Sequence, residues 1–476
     1  MRTRSALFVS TLWLVACSQQ APAEKGLLNE APTPTAKVAE AQPIAAGAPI
    51  AVPMPQIAAS SQQMPLDQTA APFSLTATDG SGLEVTRVEA KAVVQGPVAF
   101  TELHLYFQNT ENRVREGNFA ITLPSGAAVS RFAMENDGQF MEAEVVEKKL
   151  ARRAYDDFLH RKQDPALMEK GEGNQFTAKV FPIPANGVKH IVVSFSQELP
   201  GQRYTLPLRG LPKVDRVDVA LDTIDMQGVK SSQVLQKRDW QPDVDFTSTA
   251  PATAEAISSG QFVVAQLSPF DQATVAKDVP TSVTLLVDTS ASRALGFAKY
   301  AERIKDLVGS MAQAYPGVSV DVVAFDQDNK SIYSGPAAGF GSAQVQALIS
   351  RGAAGASDLS QALASIAQPQ KRIVVITDGV ITAGKEGGEL AAAVKSLGSK
   401  GVERVDVALA GGIRDEALAT QLVTSGLVRT GAVMDLDASV GDVAQGIGER
   451  VMTDIDVTVE GAEWVYPRVI KSARPM

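Results

Sequence analysis

The sequence predicts a multi-domain chain: an N-terminal β-sandwich with an inserted helix, then a doubly wound, mostly parallel α/β sheet. Three observations carry this. The length, 476 residues, exceeds what one core normally organises. Between residues 73 and 270, short runs of alternating apolar and polar residues are punctuated by turn residues. From Thr281 onward the period changes, and near-continuous apolar strands alternate with amphipathic segments at helical spacing.

The chain opens with Arg2 and Arg4 and then an apolar run, Ala6 to Ala16. As a helix this run is too short to cross a hydrocarbon core of ~30 Å, which takes about 20 residues. It has the charged start and apolar centre of a secretory signal. Cys17, the sole cysteine, follows Leu14-Val15-Ala16 directly. That tetrapeptide resembles a bacterial lipoprotein lipobox, which implies cleavage before Cys17 and lipidation of its thiol. Ser18 rather than Asp follows, which by the same resemblance implies the outer membrane. Residues 17–72 are rich in Ala, Pro, Gln and Ser without a sustained period, as in Ala31-Pro-Thr-Pro34. They read as a tether that lifts a folded head from a lipid surface, with a reach of roughly 40 Å as a flexible coil.

Residues 73–200 contain strand-like runs such as Phe100-Thr-Glu-Leu-His-Leu-Tyr-Phe107 and Lys189-His-Ile-Val-Val-Ser-Phe195. One stretch differs: in Glu147–Lys162 the apolar residues Leu150, Ala151, Ala154, Tyr155 and Phe158 recur at helical spacing, predicting an amphipathic helix. Its charged face, with Arg152, Arg153, Asp156 and Asp157, reads as solvated surface. This helix, then Asp164-Pro-Ala-Leu-Met-Glu169, Asn174-Gln-Phe176, Phe181-Pro-Ile-Pro184 and Ile191-Val-Val-Ser-Phe-Ser-Gln197, occur in the order found in the vault protein inter-alpha-trypsin (VIT) domain. The resemblance spans about residues 75–200 and implies a β-sandwich with an interaction role and no catalytic residues. A β-rich connecting segment, 201–280, follows.

From 281 to 455 the strands Val283–Val287, Val318–Phe325, Arg372–Thr377, Val405–Leu409 and Ala432–Leu436 alternate with helical segments. In such sheets ligands sit beyond the carboxyl ends of the strands. Three segments fall there: Asp288-Thr289-Ser290-Ala291-Ser292 after the first strand, Ser357-Asp358 opening a helix, and Asp378-Gly379 after Ile373–Thr377. Together they offer hydroxyls and carboxylates, an oxygen-only donor set suited to a hard divalent cation. Asp358 reads as the cap of the following helix. Crowding carboxylates without a cation costs electrostatic energy, so removing Asp288 or Asp378 is expected to leave metal-free folding intact.

The D-x-S-x-S pattern with the later hydroxyl and aspartate resembles the metal-ion-dependent adhesion site (MIDAS) of a von Willebrand factor type A domain. That likeness covers about residues 281–455. It implies that Ser290, Ser292 and Ser357 ligate Mg²⁺ (or Mn²⁺ or Ca²⁺), and that Asp288 and Asp378 hold its waters or bind directly. It also implies a protein partner whose Asp or Glu carboxylate completes the coordination. Ser357 stands where the family usually has Thr, keeping the hydroxyl but not the methyl that stiffens the rotamer. The tail, 456–476, reads as a strand pair that stops where similar chains usually continue with more β structure.

Other classes fare worse. A net charge of −9 with no basic stripe argues against nucleic-acid binding. One cysteine excludes an internal disulfide or a cysteine-based cluster, and three histidines leave little for a His-rich metal site. Gly379–Glu386 approaches a phosphate loop, but Glu386 replaces the hydroxyl that binds Mg²⁺. No Gly-x-Ser-x-Gly elbow supports a hydrolase. Asp326-Gln-Asp328-Asn329 reads as a hairpin turn rather than a calcium loop. The expected function is carboxylate capture by a lipid-anchored, non-enzymatic envelope protein. A structural envelope protein with a metal-free A domain is the alternative, and a hydrolase or nucleotide enzyme comes third.

Overall fold

The structure is a computed structural model that describes residues 70–147, 167–170, 173–199, 203–225, 227–249, 256–266 and 276–474. Residues 1–69, with Cys17 and the tether up to residue 69, and residues 148–162 of the expected helix lie outside the described residues, and Glu147 ends a strand. No described helix is long and apolar enough to cross a membrane.

In the N-terminal region, Val98–Gln108 lies between two antiparallel neighbours, Glu84–Gln95 and Val188–Glu198. Its alternation places Leu103, Leu105 and Phe107 in the core. The sandwich expectation needs adjustment here, because the strands form one continuous eleven-stranded sheet. The cause is Gln139–Glu147, which pairs antiparallel with Ala128–Asn136 along its first half and parallel with Leu167–Lys170 along its second. The two halves so joined close on one core, where the Phe119 ring meets Phe107 at 6.1 Å and Phe132 at 5.7 Å. Val214–Ile224 adds to the same sheet, parallel to Glu84–Gln95, so part of the connecting segment is built into this region.

The C-terminal region contains six strands: β1 (Ser282–Asp288), β2 (Ser319–Phe325), β3 (Asn329–Pro336), β4 (Arg372–Thr377), β5 (Arg404–Leu409) and β6 (Val433–Asp435). Their order is β3-β2-β1-β4-β5-β6, and β3 alone runs antiparallel. Residues 326–328 are the β2–β3 turn, as the sequence predicts. The helices are α1 (Phe297–Ala314), α2 (Ser342–Arg351), α3 (Leu359–Ser365), α4 (Gly387–Ser396), α5 (Glu416–Val423) and α6 (Val440–Ile447). α1, α2 and α6 pack on one face, with Leu285 of β1 among them; α3, α4 and α5 pack on the other, with Leu286. Every residue of β4 and β5 is buried, which is why these strands read as near-continuous apolar runs, broken in β5 only by Asp406.

The chain starts this sheet at its centre, runs outward through β2 and β3, then crosses back to β4. The order therefore reverses between β1 and β4, the point where open α/β sheets form their binding crevice. Asp288 ends one of these strands, and Asp378 follows the other. Beside this edge the N-terminal region touches the loop after β5. Asn174 Nδ2 donates to the Gly412 carbonyl at 2.9 Å, and the Arg414 amide donates to Asn174 Oδ1 at 2.8 Å. A Cβ on Gly173 would lie 2.1 Å from the Arg414 carbonyl, so this contact needs glycine. The tail forms a hairpin of Met452–Asp456 with Val469–Ala473.

Candidate metal centre

All five residues singled out in the sequence meet at the carboxyl edge, and four are buried: Asp288, Ser290, Ser357 and Asp378. Ser292 is exposed and marks the mouth of the site. Asp288 is the hub. Its Oδ1 accepts the Ser290 amide at 2.9 Å, and its Oδ2 accepts the Thr377 hydroxyl at 2.6 Å and the Ser357 hydroxyl at 3.2 Å. Burial first, then the charge of Asp378, push the Asp288 carboxyl above the usual carboxylate range.

The hydroxyls of Ser290 and Ser292 lie 3.1 Å apart. Adjacent corners of a Mg²⁺ octahedron are about 3 Å apart, given metal–oxygen bonds of about 2.1 Å. This pair therefore has the spacing of two neighbouring ligands. Ser357 is fixed by its backbone: its amide donates to the Thr382 hydroxyl at 2.8 Å, and its carbonyl accepts the Thr382 amide at 3.2 Å. The loop before it is stitched to the first segment by Ala291 N donating to Gly355 O at 3.0 Å. Asp378 Oδ1 accepts the Val380 amide at 2.9 Å, and the Asp378 carbonyl accepts the Asp415 amide at 2.8 Å. Gly379 has φ +81°, and a Cβ there would meet the Asp415 carbonyl at 2.8 Å, so the turn after Asp378 demands glycine.

Two contributors escaped the sequence reading. Thr377, one residue before Asp378, orients Asp288. Arg293 directly follows Ser292, and its guanidinium donates to Asp378 Oδ2 and, at 2.6 Å, to the Ala410 carbonyl. The signals were there, an arginine abutting the D-x-S-x-S run and a threonine abutting the aspartate, but neither belongs to the pattern. Asp358 serves as the helix cap expected of it, accepting Gln361 N at 2.9 Å. Gly384 of the phosphate-loop candidate packs against that cap, since a Cβ on it would strike Asp358 Oδ1 at 2.1 Å.

The N-terminal region holds a second polar cluster that the sequence did not reveal, because its members are far apart in the chain. Glu102, His104, His190 and Glu135 form a hydrogen-bonded row with steps of 3.0, 2.9 and 2.8 Å. Cross-strand pairing creates it, setting His104 opposite Val192, two residues from His190 and so on the same face.

The family model of the Vault protein inter-alpha-trypsin domain matches residues 85–195. Among solved structures, an aerotolerance-related membrane protein from Bacteroides fragilis is similar at 18% identity, covering 35% of this chain and 98% of that one, with a TM-score of 0.26. The manganese-loaded TRAP protein of Plasmodium vivax is 14% identical, covering 37% and 76%, with a TM-score of 0.28. A von Willebrand factor type A structure from Catenulispora acidiphila is 17% identical, covering 38% and 42%, also at 0.28. None of the curated proteins compared matches the chain.

Proposed function

We propose that the protein is a lipid-anchored envelope protein that captures a partner protein's carboxylate through a divalent cation held by Asp288, Ser290, Ser292, Ser357 and Asp378. The observation that carries this reading is the convergence of three distant chain segments on one oxygen-lined crevice, with two serine hydroxyls at ligand spacing. When bound, the cation supplies a coordination position for the incoming carboxylate. Ser290 and Ser292 hold the mouth of the site. Asp288 and Asp378, deep in the crevice, supply negative charge, and Thr377 and Ser357 fix the orientation of Asp288. Such a site binds its partner without making or breaking covalent bonds.

Titration calorimetry of the full chain with MgCl₂, MnCl₂ and CaCl₂ tests the reading, with submillimolar binding of at least one expected. No binding of any at millimolar concentration overturns it. Arg293 favours the second reading, a metal-free A domain in a structural envelope protein, because it already brings a positive charge to Asp378. The anchor rests on Cys17 and the signal before it, and the outer membrane on Ser18. Fatty-acid labelling should mark the wild type and miss Cys17→Ser; equal labelling of both removes the anchor.

A further inference from the structure

We propose that the Arg293 guanidinium is a built-in competitor for the cation position, so that a divalent metal binds only after Arg293 releases Asp378. The inference rests on the metal reading above and adds a regulator to the same site.

The seat for this side chain is constructed rather than incidental. The Arg293 side chain is 6% exposed and its partner Asp378 only 2%. One Nη donates to Asp378, the other to the Ala410 carbonyl, and the guanidinium carbon lies 5.8 Å from the centroid of the Tyr300 ring. Gly411, at φ +98°, leaves the space that the guanidinium fills: a Cβ there would lie 2.6 Å from Nη1. Three elements, helix α1, the turn after β4 and the loop after β5, thus cooperate to receive the cation that the turn after β1 carries.

Charge makes the two occupants exclusive. Asp288 and Asp378 bring two negative charges, and Arg293 returns one positive charge to the same buried volume. A divalent ion beside an unmoved guanidinium would reverse the sign of the site and set like charges together where solvent screens them least. Arg293 also occupies Asp378 Oδ2, one of the oxygens the cation would need directly or through water. The site therefore has two forms, one in which Arg293 offsets half of the negative charge and one in which a metal offsets all of it, and a change that loosens Arg293 favours the second.

The test compares the full-length chain with Arg293→Met and with Arg293→Gln, which keeps a donor for Asp378 while removing the charge. The glutamine variant decides the matter where the methionine variant fails to fold. MnCl₂ and MgCl₂ are titrated calorimetrically into each, and thermal unfolding is followed in EDTA and in MnCl₂. The expected result is Mn²⁺ binding at least tenfold tighter in the variants. Their melting temperature should be lower than wild type in EDTA and recover with Mn²⁺. Equal or weaker Mn²⁺ affinity in the variants, with the wild type binding, overturns the competition and leaves the metal site standing. No binding by any of the proteins overturns both.

Discussion

The α/β sheet carries a buried arginine–aspartate cluster at each edge, and the two differ in how fully their charges are balanced and in what fills the remaining hydrogen-bonding capacity. At the amino edge, Arg372 and Arg404 begin β4 and β5 and meet Asp278 and Asp406, with Arg429 reaching Asp278 from outside. Arg429 also meets Glu403, so three cations face three carboxylates. Spare donors end on backbone carbonyls: Arg404 on Glu449 O at 2.6 Å and Gly446 O at 3.2 Å, Arg372 on Asp278 O at 2.7 Å and on Ile447 O. These carbonyls are already taken up by guanidinium donors. At the carboxyl edge two carboxylates face Arg293 alone, and the accessory groups are serine and threonine hydroxyls, which can donate, accept or ligate. One cluster ties strand starts to the end of α6; the other keeps negative charge and oxygen donors behind a mouth at Ser292.

The largest effect should come from breaking the amino-edge cluster. Asp406→Ala leaves Arg404, 1% exposed, without its main counter-charge and also removes the acceptor of the Ala432 amide. A loss of about 3–5 kcal/mol is expected, as for one partner removed from a buried ion pair. Mn²⁺ should recover none of it. Urea unfolding with and without the metal checks this, and a loss below about 1 kcal/mol would remove the distinction between the edges.

The carboxyl edge should respond differently to its two aspartates. Either Asp288→Ala or Asp378→Ala should abolish metal-linked stabilisation, which at 100 times the Kd amounts to about 2.7 kcal/mol. Without metal they should diverge. Asp288→Ala leaves the Asp378–Arg293 pair neutral, so its cost should be the smaller and come from the hydrogen bonds that Asp288 accepts, where the sequence alone predicts none. Asp378→Ala leaves a buried guanidinium with only neutral partners, the Ala410 carbonyl and the Ser292 hydroxyl, and should destabilise the chain even in EDTA. Identical melting of the two variants in EDTA would mean that Arg293 is not the counter-charge.

The contrast also marks what could be read from the chain. The β1–β4 crevice followed from strand runs and turn residues, because fully buried strands are near-continuous apolar runs and their carboxyl ends are fixed by topology. The three segments of the oxygen set came with it. Arg293 did not, because an arginine after Ser292 is as consistent with a solvated turn as with a buried seat. Only the Gly411 gap and the position of Ala410, more than a hundred residues away, settle which. The row of Glu102, His104, His190 and Glu135 was hidden for the same reason: register between distant strands creates it. The continuous N-terminal sheet depends on one strand, Gln139–Glu147, changing partners midway, and its alternation looks the same whichever neighbour it has.

A smaller effect should appear with pH, and outside both arginine clusters. Burial lowers the His190 pKa from its ordinary 6.5, although the hydrogen bond to Glu135 opposes this. The unfolded chain then binds the proton more readily, so His190 contributes stability that is present above about pH 6.5 and is lost as pH falls below it. Glu102, held below its ordinary 4.5 chiefly by the His104 hydrogen bond, extends the loss once pH drops under 4.5. Urea midpoints measured in EDTA from pH 7.5 to 5 should fall, and His190→Gln should flatten that slope. An unchanged slope would place the acid sensitivity elsewhere.

The smallest effect belongs to Ser357, where the hydroxyl-rich character of the carboxyl edge can be tested at one atom. Its hydroxyl donates to Asp288 Oδ2 at 3.2 Å, an oxygen already served at 2.6 Å by Thr377. Ser357→Ala should therefore cost only about 1 kcal/mol without metal, the worth of one hydrogen bond whose acceptor keeps another donor. Its effect on Mn²⁺ affinity should be larger than that, because a ligand is lost and Thr377 is already committed to Asp288. Ser357→Thr keeps the oxygen and restricts its rotamer, so Mn²⁺ affinity should be held or raised, provided the added methyl is accommodated in a site only 1% exposed. Calorimetry on the two variants separates the roles. If alanine and threonine leave Mn²⁺ affinity equally unchanged, Ser357 only orients Asp288, and the cation is held by the remaining four residues.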